Sequence, residues 1–393
     1  MRDPCTELDV LLAPVGQALL AELIGLELTP ETELALARRL RAVYPADLVT
    51  AALSMHELRQ RARPKFTRAD RMYLTRDGLE QASAEPLARH RAARLAGVGK
   101  IADLCCGIGG DLVALAGGSE PASEVLAVDR DPIHLRMAVL NACVYEVGEA
   151  VRTVCVDVRS VDLVGVDVVF VDPARRIGSR RLATGPSEPP LSWCIELAER
   201  VGVVVKAAPG IDRDRVPAGW EVEFVSAGRE LKEAVLWSPA FVGAPGVTSR
   251  ASVLPSGEQL RAVPGEPVEC RAPGAYLLDP NPAVTRAGLV EDLARGLGAW
   301  KIDPMIAFLS SDRPLRSPFA RTLRVLDSGP WREKELASRL RSLGVGSVEI
   351  RRRGLAGDVD TLRRRLRLPP GQPATLVMTR VADRPWALIC VDA

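Results

Sequence analysis

Histidines, aromatic residues and paired cysteines are scarce in this sequence. Its 393 residues include three histidines, eight cysteines and only 4% aromatic residues. The histidines are His56, His90 and His134, and no two cysteines are spaced as C-x-x-C. Because a zinc site needs paired ligands at short spacing, we expect no metal site. The cysteines are expected to be small, buried, apolar residues in a reducing compartment.

Long hydrophobic runs are also missing. No apolar run approaches the roughly 20 residues that a membrane-spanning helix needs. The N-terminal segment MRDPCTELDVLLAPVG contains acidic residues and an early proline, unlike the basic-then-apolar pattern of a signal peptide. We therefore expect a cytoplasmic protein that has no association with a membrane.

The small net charge of +2 hides an uneven distribution of charge. Residues 313–393 contain 17 Lys and Arg against 8 Asp and Glu, a net charge of +9, which leaves −7 for residues 1–312. The segment RQRARPKFTRADRMYLTR, residues 59–76, is basic as well. Basic patches at both ends of an otherwise acidic chain favour a polyanionic partner, with nucleic acid the leading candidate. The alternative is a basic face that is merely solvated.

Composition and periodicity predict an α/β protein of more than one domain, since 47% of the residues are hydrophobic and can form real cores. Short apolar strands alternate with amphipathic segments in the second part, which is typical of a parallel sheet with helices on both faces. The predicted parts are a helical N-terminal region (1–95), this sheet domain (96–243), a hairpin and helix connector (244–316) and a small α/β domain (317–393).

Finer predictions concern the end of the sheet domain and the connector. The segments WEVEFVS and EAVLWSP are predicted to form an antiparallel pair at the sheet edge. A hairpin is expected around Pro255, Ser256 and Gly257, and one helix over residues 282–300.

The stretch IADLCCGIGGDLVALA, residues 101–116, lies where a strand is predicted to become a helix. It lacks the lysine of a phosphate-binding Walker loop, and Leu112 occupies the third glycine position of a dinucleotide fingerprint. Asp103 lies in the strand, and the glycines after it allow the backbone to approach a ligand closely.

The following strands also end in aspartates. Asp129 is placed to bind ribose hydroxyls, and Asp157 with its adjacent backbone to read an adenine amino edge. A fourth strand ends in VDPARR, at the edge of the sheet where α/β proteins bind ligands. Each aspartate has the alternative role of a helix N-cap.

The order of DLCCGIGG, AVDRDP, CVDV and VFVDPAR resembles class I S-adenosylmethionine-dependent methyltransferases. Residues 70–175 resemble in particular the trimethylguanosine synthase group of guanine-N2 RNA methyltransferases. The resemblance implies a Rossmann-like sheet and S-adenosylmethionine as cofactor. The cofactor-binding residues it implies are Asp103, Cys105, Gly107, Gly109, Gly110, Asp129, Asp157 and Val158. The catalytic turn it implies is Asp172, Pro173, Ala174 and Arg175.

This turn departs from the (S/D/N)-P-P-aromatic pattern of the group. Ala174 replaces the second proline, and Arg175 replaces the aromatic ring that would stack on the base. A guanidinium plane is a substitute for that ring. The turn also resembles that of uracil-C5 RNA methyltransferases, but the cysteine nucleophile which those enzymes need is missing from VVVKAAPGID. We therefore do not expect methylation of carbon.

The C-terminal segment SPFARTLRVLDSGPWREKELASRLRSLG resembles the THUMP-like domain found behind bacterial methyltransferases. This resemblance implies an RNA partner, tRNA or rRNA. The arginines of two clusters, 351–353 and 363–367, are expected to project mostly outward. The predicted function is methyl transfer from S-adenosylmethionine to an exocyclic amine of an RNA base, with guanine N2 favoured. The alternatives are a small-molecule or protein methyltransferase, and a non-catalytic RNA-binding protein with a vestigial methyltransferase fold.

Overall fold

The computed structural model describes residues 4–174, 176–177, 180–181, 187–242 and 248–393. The chain divides into two compact units. The first comprises Met1–Ala207 and Leu236–Phe241, and the second comprises Ala208–Val235 and Val242–Ala393. In the described part of the chain, no helix is both long and apolar enough to cross a membrane.

The first unit begins with helices that share one hydrophobic core, as the sequence predicts. Thr29 caps the third helix through a reciprocal capping box with Thr32. The core of these helices includes Ile108 and Met137, so it continues into the sheet domain. The α-helices within residues 4–95 are α1 (Pro4–Leu12), α2 (Pro14–Leu23), α3 (Pro30–Leu40), α4 (Ala46–Ala62), α5 (Arg76–Gln81) and α6 (Glu85–Ala93).

Parallel strands and their crossover helices make up the rest of the first unit. In chain order these elements are β1 (Lys100–Leu104), α7 (Leu112–Gly117), β2 (Glu124–Asp129), α8 (Pro132–Val144), β3 (Val151–Cys155), β4 (Val168–Val171), the short ribbon β5 (Arg176–Ile177) and β6 (Arg180–Arg181), α9 (Leu191–Leu197) and β7 (Gly202–Ala207). The five long strands are all parallel, in the order β7-β4-β1-β2-β3. The order reverses at β1, which lies between β2 and β4. The carboxyl ends of strands at such a switch point form the crevice where open α/β sheets bind ligands.

The next strands along the chain are β8 (Glu221–Ala227), β9 (Glu230–Trp237), β10 (Ser249–Leu254) and β11 (Glu258–Arg261). All of them belong to the second unit except the last two residues of β9, which belong to the first. The predicted hairpin is confirmed, because β10 and β11 pair antiparallel. The prediction that β8 lies at a sheet edge is wrong. It pairs parallel with β10, so the hairpin extends the sheet beyond it.

The remaining elements of the second unit form a mixed sheet. They are β12 (Tyr276–Pro280), α10 (Pro282–Ala287), α11 (Val290–Leu297), β13 (Trp300–Lys301), β14 (Leu309–Ser311), β15 (Ala320–Pro330), α12 (Glu333–Ser342), β16 (Val345–Arg352), α13 (Val359–Leu366), β17 (Gln372–Val381) and β18 (Arg384–Asp392). Within residues 276–393 the strand order is β13-β14-β12-β15-β18-β17-β16. Residues 317–393 contain both strands and helices, as predicted, in the order β15-α12-β16-α13-β17-β18. The single helix predicted over 282–300 is wrong, since Gly288 takes φ +75° and ends α10 with a left-handed cap.

Candidate cofactor and acceptor site

Asp103 is the most unusual residue at the switch point. It lies in β1 and is fully buried, and neither of its carboxylate oxygens has a hydrogen-bond partner among the residues that the structure describes. Burial raises the pKa of this carboxyl well above its usual range, and the nearby carboxylates of Asp111 and Asp172 raise it further. A buried polar group without a partner is rare in folded proteins, so Asp103 is a candidate for contact with a ligand.

The turn after β1 contains three residues with positive φ: Cys105 at +63°, Gly107 at +54° and Gly109 at +87°. A non-glycine residue in this conformation is strained, and such strain is concentrated at binding sites. Burial raises the pKa of the Cys105 thiol, so this cysteine stays protonated and is a poor nucleophile.

The glycines of this turn have different surroundings. A Cβ on Gly107 would meet no heavy atom within 4 Å. A Cβ on Gly109 would lie 3.1 Å from the Cα of Ala138, and one on Gly110 would lie 3.3 Å from the Cβ of Ala82. Gly109 and Gly110 therefore allow close packing inside the protein. Gly107 borders open space.

Asp129, the last residue of β2, holds the turn in place. One of its carboxylate oxygens accepts a hydrogen bond of 2.8 Å from the Gly107 backbone N–H. The other accepts a hydrogen bond of 2.9 Å from the Asp131 backbone N–H. The carboxylate is half-buried beside the glycine turn, so β1 and β2 present their ends to the same crevice.

Asp157 lies two residues beyond the end of β3 and is exposed. Its carboxylate caps a single 3-10 turn, Val158–Ser160, by accepting a 2.9 Å hydrogen bond from the Arg159 backbone N–H. The capping role considered from the sequence is therefore confirmed for this residue. Val158 is buried directly after it, and the Arg159 side chain pairs with both Asp157 and Glu188.

Asp172 follows β4 and forms an ion pair with Lys206 near the end of β7. The Lys206 Nζ lies 2.6 Å from Oδ2 of Asp172, and only 6% of the lysine side chain is exposed. Asp172 also donates its backbone N–H to the carbonyl of Leu104 at 3.2 Å. The turn after β4 therefore starts directly beside the glycine turn after β1.

The rest of the predicted catalytic turn is held by its backbone. Pro173 is buried, and Ala174 exchanges two backbone hydrogen bonds of 2.9 and 3.1 Å with Glu188. Because Arg159 also pairs with Glu188, the turns after β3 and β4 are connected. Arg175 lies outside the described residues. Within those residues, no group of three or more His, Cys, Asp or Glu side chains is arranged to hold a metal ion.

A network of buried polar side chains stabilises the glycine turn. The Arg91 Nε donates to Asp111 at 2.9 Å, and the Ser83 hydroxyl donates to the other oxygen at 2.8 Å. Burial alone would raise the pKa of Asp111, but Arg91 and Lys206 lower it overall. Asn141 of α8 donates to the Ile108 carbonyl at 2.8 Å and fixes the middle of the turn. The N-terminal helices thus position this turn through α6.

In the second unit, one cluster of arginines surrounds a buried carboxylate. Asp279 is 1% exposed and accepts hydrogen bonds from Arg229 at 2.6 Å, from Arg351 at 2.7 Å and from Arg353 at 3.0 Å. Burial lowers the pKa of the Arg353 guanidinium. The expectation that the arginines of residues 351–353 project mostly outward is therefore wrong for Arg351 and Arg353.

The second arginine cluster is different. Arg363, Arg364 and Arg365 on α13 are exposed, as predicted. Their acidic contacts are exposed pairs, 3.1 Å from Arg363 to Asp360 and 3.1 Å from Arg365 to Glu333. Exposed pairs of this kind hold side chains only weakly.

Profiles of known protein families match three segments of the chain. A family described as RNA cap guanine-N2 methyltransferase matches residues 98–188. A family described as THUMP domain-like matches residues 320–391, and a domain of unknown function matches residues 5–62.

Whole-length relatives decide the family. Two Mycobacterium tuberculosis proteins, one from each of two strains, are described as uncharacterized S-adenosylmethionine-dependent methyltransferases. Each is 40% identical to this chain over 313 residues, which cover 78% of this chain and 84% of the relative. The chain belongs to this methyltransferase family. A Porphyromonas gingivalis W83 protein described as a candidate methyltransferase has the same fold, with a TM-score of 0.74, 21% identity, and coverage of 93% of this chain and 99% of that one.

These findings confirm three predictions for the methyltransferase: the family, the Rossmann-like α/β fold and the THUMP-like C-terminal region. The structure brings most of the predicted site residues to one edge of the sheet, after β1, β2 and β4, with Asp157 and Val158 just beyond β3. The roles of the individual residues remain predictions.

Sequence reasoning missed Lys206 and the network of Arg91 and Asp111. Lys206 interrupts the apolar strand VVVKAA, and a lysine in a buried strand rarely lacks a charged partner. A lysine within an apolar strand was therefore the feature of the sequence that could have identified Lys206. Arg91 and Asp111 lie in segments with ordinary helical composition, so no local pattern distinguishes them.

Proposed function

We propose that this methyltransferase transfers a methyl group from S-adenosylmethionine to an exocyclic amine of an RNA base, with guanine N2 as the favoured acceptor. The observation that carries the proposal is the ion pair of Asp172 and Lys206, located beside the glycine turn at the switch point of the sheet. It places a fixed carboxylate next to the crevice that fits the cofactor.

Two independent observations support S-adenosylmethionine as the ligand of this crevice. Within the described residues, Asp103 is a buried carboxyl without a partner, and Gly107 borders open space that a side chain would fill. We assign the contacts of the cofactor to the turn Cys105–Gly107, to Asp129 for the ribose, and to Asp157 with Val158 for the adenine. Gly109 and Gly110 support the turn through packing rather than through contact.

Bound S-adenosylmethionine supplies an electrophilic methyl group, whose sulfur–carbon bond breaks as the bond to the acceptor nitrogen forms, leaving a neutral thioether. The residues of the chain have to position the acceptor amine, whose lone pair is delocalised into the aromatic ring. Oδ1 of Asp172 and the carbonyl of Pro173 accept the two N–H groups and direct the lone pair out of the ring plane. The Lys206 ammonium holds Oδ2 and fixes the carboxylate. The nitrogen then loses one proton to water or to Asp172.

Positioning and electrostatic stabilisation account for the main rate gain in such a step. The carboxylate stabilises the positive charge that develops on the attacking nitrogen. The methylated nitrogen is strongly acidic while it carries this charge, so it loses its proton to water or to Asp172 and no strong general base is required. Asp172 keeps 24% of its side chain exposed, so its free oxygen is accessible to an acceptor.

RNA as the acceptor is supported by sequence features other than the ion pair of Asp172 and Lys206. Residues 98–188 match the guanine-N2 RNA cap methyltransferase profile, and residues 320–391 match a THUMP-like profile. The net charge of +9 in residues 313–393 favours a polyanion. We propose tRNA or rRNA as the natural substrate.

The test combines purified full-length protein, S-adenosylmethionine with an isotopically labelled methyl group, and RNA from cells that lack the protein. Mass spectrometry of the nucleosides is expected to show labelled N2-methylguanosine. Asp172→Asn keeps the size of the side chain but removes its charge, and it should lower turnover by about 10²-fold or more. Its affinity for S-adenosylmethionine, measured by calorimetry, should change little.

Asp162→Asn is the matched control, because Asp162 is an exposed aspartate of the described loop before β4, where its carboxylate accepts a hydrogen bond from the Val164 backbone N–H, and it has no role in the proposed site. Equal losses of turnover and cofactor affinity in Asp172→Asn would assign this residue to the cofactor and contradict the mechanism. The absence of label from every nucleoside, in a reaction where calorimetry shows that the protein binds S-adenosylmethionine, would contradict the RNA substrate.

A further inference from the structure

A cavity of about 570 Å³ lies in the second unit, and none of its lining residues belongs to the proposed methyl-transfer site. Its wall is the loop between β14 and β15, and its floor is one face of the β12–β15 pair. The polar and aromatic side chains that line it are Tyr276, Arg313, Arg316, Thr322, Arg324 and Asp392.

The cavity is preformed by hydrogen bonds. Tyr276 and Arg324 lie directly opposite each other in the antiparallel β12–β15 pair, so their side chains are on the same face. Thr322 is on that face too, and its hydroxyl donates to the Leu315 carbonyl, which ties the loop over the sheet. The Ser311 hydroxyl donates to the Arg313 carbonyl at 2.7 Å and fixes the start of the loop.

The charge of the cavity is strongly positive. Arg313, Arg316 and Arg324 are exposed, and none of them forms an ion pair with a carboxylate in the described part of the chain. The acidic lining residue, Asp392, is already paired with Arg321 at 2.8 Å. Three cations are thus gathered in one concave place without the neutralisation that Asp279 gives to its arginines.

We propose that this cavity binds one nucleotide of an RNA chain, with phosphates on the three guanidiniums and the base on the Tyr276 ring. Guanidinium forks match phosphate oxygens in bidentate geometry, and aromatic rings bind unpaired bases by stacking. A volume of this size lies in the range of small-ligand sites, so the cavity accommodates more than a single phosphate. The assignment to RNA rests on the proposed function. Exposure of all three arginines lets a chain continue on either side of the bound nucleotide.

The experiment measures binding by the full-length protein of a fluorescein-labelled, mixed-sequence, single-stranded RNA of twelve nucleotides, using anisotropy at several salt concentrations. The double variant Arg313→Gln, Arg324→Gln should bind at least tenfold more weakly, since each change removes a charge-assisted hydrogen bond. Its log–log salt slope should flatten by about 1.4, or about 0.7 for each lost phosphate contact. Tyr276→Leu should weaken binding about fivefold or more without a change in slope.

The matched control is Arg332→Gln, Arg341→Gln. It removes the same charge from exposed positions of the same unit outside the cavity. If this control loses as much affinity as the cavity variant, RNA responds to overall charge and the proposal is wrong. Unchanged RNA affinity in the cavity variant, together with weakened binding of adenosine monophosphate, would assign the cavity to a free nucleotide and also overturn it.

Methyl transfer does not enter this readout, so the two proposals fail in different ways. A wild-type protein that binds RNA through the cavity but methylates none would contradict the proposed function alone. A cavity variant that binds and methylates RNA like the wild type would contradict the cavity proposal alone. Affinity for S-adenosylmethionine, measured by calorimetry in each variant, and melting curves exclude a folding defect.

Discussion

Two aspartates of this methyltransferase are equally buried but have opposite surroundings. Asp103 in the first unit is fully buried and has no hydrogen-bond partner in the described part of the chain, whereas Asp279 in the second unit is 1% exposed and binds three arginines. The carboxylate of Asp279 is neutralised within the protein, which makes it part of the scaffold. The unsatisfied carboxyl of Asp103 belongs to the region that we propose is completed by a ligand. The comparison teaches that the partners of a buried charge, rather than its burial, separate a binding region from a structural one.

The largest effect is expected from filling the open space at Gly107, in the turn that follows the strand of Asp103. Gly107→Val places a branched side chain where S-adenosylmethionine is proposed to lie and strains a residue with φ +54°. Affinity for S-adenosylmethionine, measured by calorimetry, should fall by at least about 100-fold, equivalent to the loss of roughly 3 kcal/mol.

Gly165→Val is a close control for backbone strain. Gly165 has φ +74°, and a Cβ at this position would also meet no heavy atom within 4 Å, but the residue precedes β4 at the other edge of the sheet. This control should lose stability and keep its cofactor affinity. Equal affinity for the cofactor in wild type and a folded Gly107→Val variant would remove the glycine turn from the site.

A smaller effect, on stability, is expected from Asp279. Asp279→Asn leaves three arginines around a site that no longer has a negative charge, and breaking a buried ion pair costs about 3 kcal/mol. The melting temperature of the second unit should fall by roughly 6–12 °C. Asp360→Asn breaks the exposed pair with Arg363 and should change stability by less than about 1 kcal/mol. Similar melting temperatures for the two variants would show that Asp279 is not a structural centre.

For Asp103 we expect the opposite effect on stability, because replacing its carboxyl should stabilise the protein. Its folded-state pKa is raised, so the folded protein binds a proton that the unfolded chain releases as the pH rises above about 4. Stability is therefore lost between that pH and the raised folded pKa. Asp103→Asn removes this penalty, and its melting temperature should exceed that of the wild type at pH 8 by a few degrees. The difference should shrink toward pH 5. A variant less stable than the wild type at pH 8 would contradict the unsatisfied state of Asp103.

Much of this architecture follows from local sequence patterns. The alternation of apolar strands and amphipathic helices predicts the parallel sheet, and the aspartates at strand ends predict where its crevice lies. Features that depend on distant residues do not follow from such patterns. Arg351 and Arg353 look like Arg363 and Arg364 in the sequence, and only packing against Asp279, some 70 residues earlier, distinguishes them. Likewise, the role of Lys206 depends on its ion pair with Asp172, which lies 34 residues earlier in the chain.

The smallest expected effect concerns the salt dependence of RNA affinity. It should differ between variants of the α13 arginines and variants of Arg351 and Arg353. Arg363, Arg364 and Arg365 are exposed, so changing all three to glutamine should flatten the salt dependence of RNA affinity by about two units on a log–log plot. Arg351→Gln with Arg353→Gln should instead lower the melting temperature, because Asp279 loses two of its partners. Its salt slope should change less, since those guanidiniums are already engaged.

Anisotropy titrations with a single-stranded RNA between about 50 and about 200 mM salt measure both slopes, and thermal melts measure both stabilities. The affinity of both variants for S-adenosylmethionine should match that of the wild type, because the proposed cofactor residues all lie in the first unit. If the Arg351 and Arg353 variant flattens the slope while the α13 variant does not, the roles are reversed. The cluster around Asp279 would then be the RNA-binding surface, and Asp279 would organise arginines for a ligand rather than neutralise them.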